Sequence, residues 1–144
     1  MKRRPLIIVF SILLFAGLVF GGERFFSRTA TDVTVSRVTI SPAEVDFGDI
    51  AQDGGMVSTT VMVKNEGGQP LEINRISTSC GCTTAEMDMS PLEPGLSRPL
   101  TISFDPMAHP DQSGPITRAV YLQTSDPEQP EVEIEVIGNV ISSN

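Results

Sequence analysis

Two cysteines, Cys80 and Cys82, are the only thiols in this chain, and one glycine separates them in the stretch STSCGCTT. That spacing admits three chemistries. The first is a local disulfide. Cysteines two apart on a straight strand point to the same face with Cα atoms ~6.5–7 Å apart, at the limit of bridging. Gly81 has no Cβ and would let the chain bend enough to close the ring. A ring around one residue removes almost no unfolded-chain entropy, so such a bond is a redox-capable feature, strained and easy to reduce, rather than a staple. The second is a metal pair. Two thiolates with the sole histidine, His109, and the thioether of Met107 suit Cu(I), or Zn with a further hard ligand. The third is a pair of inert thiols with a packing role. All three stay open on the sequence alone.

Little else in the chain is equipped for chemistry. There is no G-x-S-x-G, no H-E-x-x-H and no phosphate-cradling G-x-x-x-x-G-K. With one histidine, any Ser–His or Cys–His catalysis would have to use His109; Cys80 and His109 can be drawn as nucleophile and base, with only a shared end of the fold to draw them together. The tripeptide His109-Pro110-Asp111 matches a co-chaperone motif that needs flanking helices, and no helical pattern surrounds it. Glu131, Glu133 and Glu135 read as the solvated face of a strand that also guards an edge against aggregation. Lys64 reads as a solvent-facing strand residue, and Met87 and Met89 as core or surface methionines. The expectation is a protein that is not an enzyme and has no resident cofactor, with thiol–disulfide exchange as the one chemistry kept open.

The compartment decides how the thiols behave, and the first 28 residues carry that information. A basic start, Lys2-Arg3-Arg4, precedes an uncharged run from Pro5 to Gly22, and Glu23-Arg24-Phe25-Phe26-Ser27-Arg28 suits a membrane interface. The run is at the short end for a transmembrane helix and long for a signal-peptide core. The small residues near its end leave Phe or Val at one of the two positions a cleavage site needs, so an uncleaved anchor is favoured over a cleaved signal. No cysteine follows the run, which excludes a lipoprotein anchor. Positive charge ahead of the run keeps the N-terminus cytoplasmic and exports the rest. Residues 29–144 carry five basic and seventeen acidic side chains, an acidity that repels nucleic acid and anionic lipid. An exported domain meets oxidising conditions, where paired cysteines default to a disulfide.

After residue 30 the pattern is alternation broken by Gly, Pro, Asn and Asp. Val57, Thr59, Val61 and Val63 share one face, as do Leu100, Ile102 and Phe104, and as do Val132, Ile134 and Val136. The strands are expected at 34–50 in two pieces, 56–65, 70–79, 83–89, 97–105, 115–125 and 131–140. Seven strands with turns every 8–12 residues predict a two-sheet sandwich. Successive strands alternate in direction, so the loops at 51–55, 80–82 and 106–114 should gather at one end, away from the membrane. Met87 and Met89 would then lie ~17–23 Å along their strand from that end.

The markers Phe47-Gly48, Asn65 with Gly67, Ser79-Cys80-Gly81-Cys82-Thr83, Pro94-Gly95 and Phe104 stand in an order that resembles a bacterial Ig-like domain-of-unknown-function (DUF) family with an S-C-G-C-T signature. That family is similar to Hydin/ASH domains and, more distantly, to PapD and major-sperm-protein sandwiches. The resemblance covers roughly residues 38–141 and implies an all-β, Ig-like sandwich on an exported protein, while implying little about activity. The combined expectation is a cytoplasmic tip and membrane anchor at 1–28, a linker and strand start at 29–37, and the sandwich at 38–144. It would be a single-pass protein of the bacterial inner membrane with its domain in the periplasm or outside the cell. Its function would be to bind an envelope protein, with a thiol-based copper, zinc or redox protein as the alternative.

Overall fold

The computed structural model describes residues 37–142. The anchor read at 1–28, and residues 29–36 of the linker, lie outside them. Among the described residues no helix is long and apolar enough to cross a membrane.

Among the described residues eight strands follow in the order β1 Val38–Ser41, β2 Glu44–Ala51, β3 Val57–Asn65, β4 Ile73–Thr78, β5 Thr83–Glu86, β6 Ser97–Phe104, β7 Gly114–Thr124 and β8 Glu131–Ile141. They form two four-stranded sheets, β1-β3-β6-β5 and β2-β8-β7-β4. The expected first strand does break into two pieces, and the pieces join different sheets, which makes eight strands from seven. A cis Ser41–Pro42 peptide lies at the switch. β1 runs antiparallel to β3, whereas β2 runs parallel to β8. The expected strand at 83–89 ends at Glu86, and Met87 turns inward against the core while Met89 is exposed.

Alternation builds the core. Val61 and Val63 from β3, Leu100 and Ile102 from β6, Val120 and Leu122 from β7, and Ile134 and Val136 from β8 are all fully buried between the sheets. Most of the residues that alternate with them face water, including Glu131, Glu133 and Glu135, with Ala119 of β7 a buried exception. β8 lies between β2 and β7, so these glutamates coat an interior strand and do not guard an edge. A second apolar cluster, formed by Ile50, Cys82, Phe104, Ile116 and Val140, fills one end of the sandwich, and Phe47 packs against both clusters.

At the opposite end the buried Asn65 bonds four residues, tying the turn that follows it to Arg37 and Leu92. Its Oδ1 accepts from the N–H groups of Arg37 (3.4 Å) and Gly67 (2.9 Å), and its Nδ2 donates to the carbonyls of Gln69 (2.7 Å) and Leu92 (2.8 Å). The turn at Glu93–Leu96 has proline second and glycine third, with Gly95 at φ +78°, the signature of a type II turn. Its Gly95 N–H donates to the Asn65 carbonyl at 2.8 Å.

Candidate functional site: the disulfide pole

The cysteines occupy the arch by which the chain leaves one sheet and starts the other. Thr78 still pairs with Val120 of β7, and Thr83 already pairs with Phe104 of β6. β4 runs into this end and β5 runs away from it, so Ser79–Cys82 must both reverse direction and cross the sandwich. The arch is pinned at several points. Ser79 N–H donates to the Ala119 carbonyl and its Oγ accepts from the Ala119 N–H, both at 2.9 Å. The Thr78 hydroxyl donates to the Cys80 carbonyl (2.9 Å), and the Asp105 N–H donates to the Cys82 carbonyl (2.8 Å).

Cys80 and Cys82 are bonded to each other, with Cα atoms 5.3 Å apart. The arch brings the Cα atoms closer than a straight strand would. The chain does turn at Gly81, and it does so without a left-handed backbone there. Gly81 does not have a positive φ, and a Cβ built there would meet nothing within 4 Å. What its missing side chain leaves is a bare tip.

The two sulfurs sit in different surroundings. Cys82 is 2 % exposed and belongs to the pole's apolar cluster, whereas Cys80 is half-buried at its margin. Arg118 of β7 reaches across from the other sheet, and its Nε donates to Cys82 Sγ at 3.3 Å. The rest of that guanidinium is held by neutral acceptors, the Thr117 carbonyl and Gln112 Oε1, both at 2.8 Å. The Thr83 hydroxyl lies 3.4 Å from Cys80 Sγ and 3.9 Å from Cys82 Sγ. Among the described residues, the two carboxylates held below their ordinary range are remote from this pole. Glu66 is lowered mainly by the Lys64 ammonium that bonds it, and Asp88 by the backbone N–H of Ser90.

The three expected loops do converge. Gln52 Nε2 donates to the carbonyls of Pro106 (2.7 Å) and His109 (3.3 Å), tying the loop after β2 to the loop after β6. Arg118 ties the latter, through Gln112, to the disulfide. Met107 lies in a single 3-10 turn, Pro106–Ala108, that Asp105 caps by accepting from the Met107 N–H. Met107 and His109 are both exposed on that loop. Among the described residues no group of three or more His, Cys, Asp or Glu side chains is arranged to hold a metal ion. As bonded, neither sulfur is a thiolate, the form a metal binds. Arg118 was missed in the sequence reading. The one signal for it is a cation inside the otherwise apolar and hydroxylic run Ile116–Leu122.

Residues 38–140 match the family described as "Protein of unknown function (DUF1573)". The chain belongs to that family. The markers Asn65, Gly67, Pro94, Gly95 and the S-C-G-C-T arch therefore lie within the family's own domain. No curated protein matches the chain. Among solved structures, a protein of unknown function from Porphyromonas gingivalis W83 aligns with TM-score 0.67 at 23 % identity, over 77 % of this chain and 50 % of that one. This chain thus spans half the length of that relative. The seventh PapD-like, or ASH, domain of human CEP192 aligns with TM-score 0.60 at 12 % identity, over 81 % of this chain and 94 % of that one. The YadV chaperone aligns with TM-score 0.54 at 15 % identity, over 72 % and 51 %. At these identities the likeness is one of fold: an Ig-like, PapD-type sandwich.

Proposed function

We propose that this DUF1573 member is a membrane-anchored, extracytoplasmic protein-interaction module without catalytic turnover, and that it engages another envelope protein through its disulfide pole. The observation that carries the reading is the clustering of apolar side chains there. Of the six large hydrophobic residues exposed to solvent among the described residues, three, Met56, Met107 and Ile141, at 60 %, 53 % and 46 %, belong to segments that end at this pole, while Met89 and Leu96 lie toward the other and Met62 sits within β3. The first three surround loops pinned to one another, which is a preorganised surface with apolar anchors and a polar rim. PapD-type folds also offer unpaired strand edges, and here β4 and β5 flank the arch as the outer strands of their sheets. One neighbour of the same fold is named a chaperone, which is in keeping with a binding role. The anchor and export rest on residues 1–28 of the sequence, and the acidic surface disfavours nucleic acid as a partner. A resident copper or zinc ion is not part of the proposal, because it would need the disulfide reduced.

Site-specific crosslinking of the full-length chain in its native envelope tests this. A photoreactive residue at 56, 107 or 141 should join one and the same envelope protein, while one at 89 or 96, near the opposite pole, should not. Equal labelling from both poles, or none from 56, 107 and 141, overturns the reading.

A further inference from the structure

We propose that the Cys80–Cys82 disulfide exchanges with the dithiol of another protein in a fixed order, in which Cys80 is the sulfur attacked and Cys82 leaves as a thiolate received by Arg118. This is independent of which protein the pole binds. Three observations carry it.

The first is access. Thiol–disulfide exchange begins with a thiolate reaching one sulfur, and the accessible sulfur takes the attack. Cys80 is half-buried at the margin of the arch, next to a glycine with open space where a side chain would be, while Cys82 is 2 % exposed inside the apolar cluster. The second is the leaving group. The electron pair released from the broken bond must come to rest on Cys82 Sγ, in a pocket lined by Ile50, Phe104, Ile116 and Val140. A thiolate in apolar surroundings is costly, and a hydrogen-bonded cation offsets that cost. Arg118 Nε already stands 3.3 Å from that atom, and its neutral partners leave its charge available to it. The third is rigidity. The arch is fastened to β6 and β7 through Cys82, Asp105, Ser79 and Ala119, so opening the bond does not require the sandwich to open.

The step balances as follows. A thiolate of the partner attacks Cys80 Sγ, the Cys80–Cys82 bond breaks, and a mixed disulfide forms between partner and Cys80. Cys82 carries the electron pair as a thiolate against Arg118. The partner's second thiolate then attacks its own sulfur in the mixed disulfide and releases Cys80. Of the two protons the partner gives up, one ends on Cys80 and the other in water. The partner is oxidised by two electrons, and this protein holds the reduced pair.

The experiment uses the purified full-length chain, with glutathione and dithiothreitol as the probes. After brief exposure to glutathione, acid quenching and alkylation, peptide mass spectrometry should find glutathione on Cys80 and the alkyl label on Cys82. Glutathione on Cys82, or divided equally, overturns the order. Reduction by dithiothreitol should slow about tenfold in Arg118→Gln and stay near the wild-type rate in Arg118→Lys. An unchanged rate in Arg118→Gln, with its melting curve matching wild type, overturns the role of the guanidinium. Should Arg118→Gln fail to fold, Arg118→Met and Arg118→Lys are compared in the same assay. A disulfide that resists excess dithiothreitol until the chain unfolds overturns the whole proposal.

Discussion

Asn65 shows how much a single side chain can hold at the pole opposite the disulfide. It is fully buried, and all four of its hydrogen-bonding positions are used, two accepting and two donating. Replacing it with alanine removes four hydrogen bonds at once: the Leu92 carbonyl keeps only its bond from the Leu71 N–H, and the Gly67 N–H and the Gln69 carbonyl lose their Asn65 partner. We expect Asn65→Ala to lower unfolding stability by about 2–4 kcal/mol, read from the urea midpoint. Asn65→Asp should be no better, because an acceptor then faces two carbonyls. The identity of this residue was legible as a family marker, but its work was not. Arg37 and Leu92 are 28 and 27 positions away in the chain, and no local pattern brings them to Asn65. Arg118 escaped the sequence reading for the same reason, since 36 positions separate it from Cys82 and only the facing of two sheets unites them.

At the level of elements, strand positions and facing were readable because alternation is a local signal, and the buried faces of β3, β6 and β8 are those the sequence pattern predicts. Pairing was not readable. β2 and β8 both alternate, and nothing in either announces that they run parallel or that the register slips between Asp46 and Asp49. The slip contains Gly48 at φ +62°, whose N–H donates to Asp46 Oδ1 at 2.7 Å. This conformation is one that L-residues adopt at a cost. Gly81 makes the natural control, having neither a positive φ nor a neighbour near its absent Cβ. Gly48→Ala should therefore cost about 1–2 kcal/mol in urea unfolding, while Gly81→Ala stays within about 0.5 kcal/mol of wild type. Equal losses at both would show that the bulge does not need its glycine.

Across the whole molecule, the strong core and the slight disulfide divide their tasks. The bond links positions two apart, whereas a staple joins distant strands. Loop-closure entropy then predicts that Cys80→Ser/Cys82→Ser lowers stability by less than about 1.5 kcal/mol, against ~3 kcal/mol for a 15-residue loop. Thermal unfolding of the double variant checks this, and a loss of several kcal/mol would make the bond structural after all. The sandwich class was legible because its turns and alternation recur along the whole chain. The gathering of three loops at one end followed from strand direction alone. Which side chains those loops present to one another depended on tertiary packing. The two ends also set a length. β1 begins beside Asn65, the disulfide lies at the other end of β3, and the nine residues of β3 span ~30 Å at ~3.3 Å each. Arg37 and the arch are therefore held apart by a rigid strut, and whatever meets Cys80 does so at a standoff of about 3 nm from the point where the chain enters the domain.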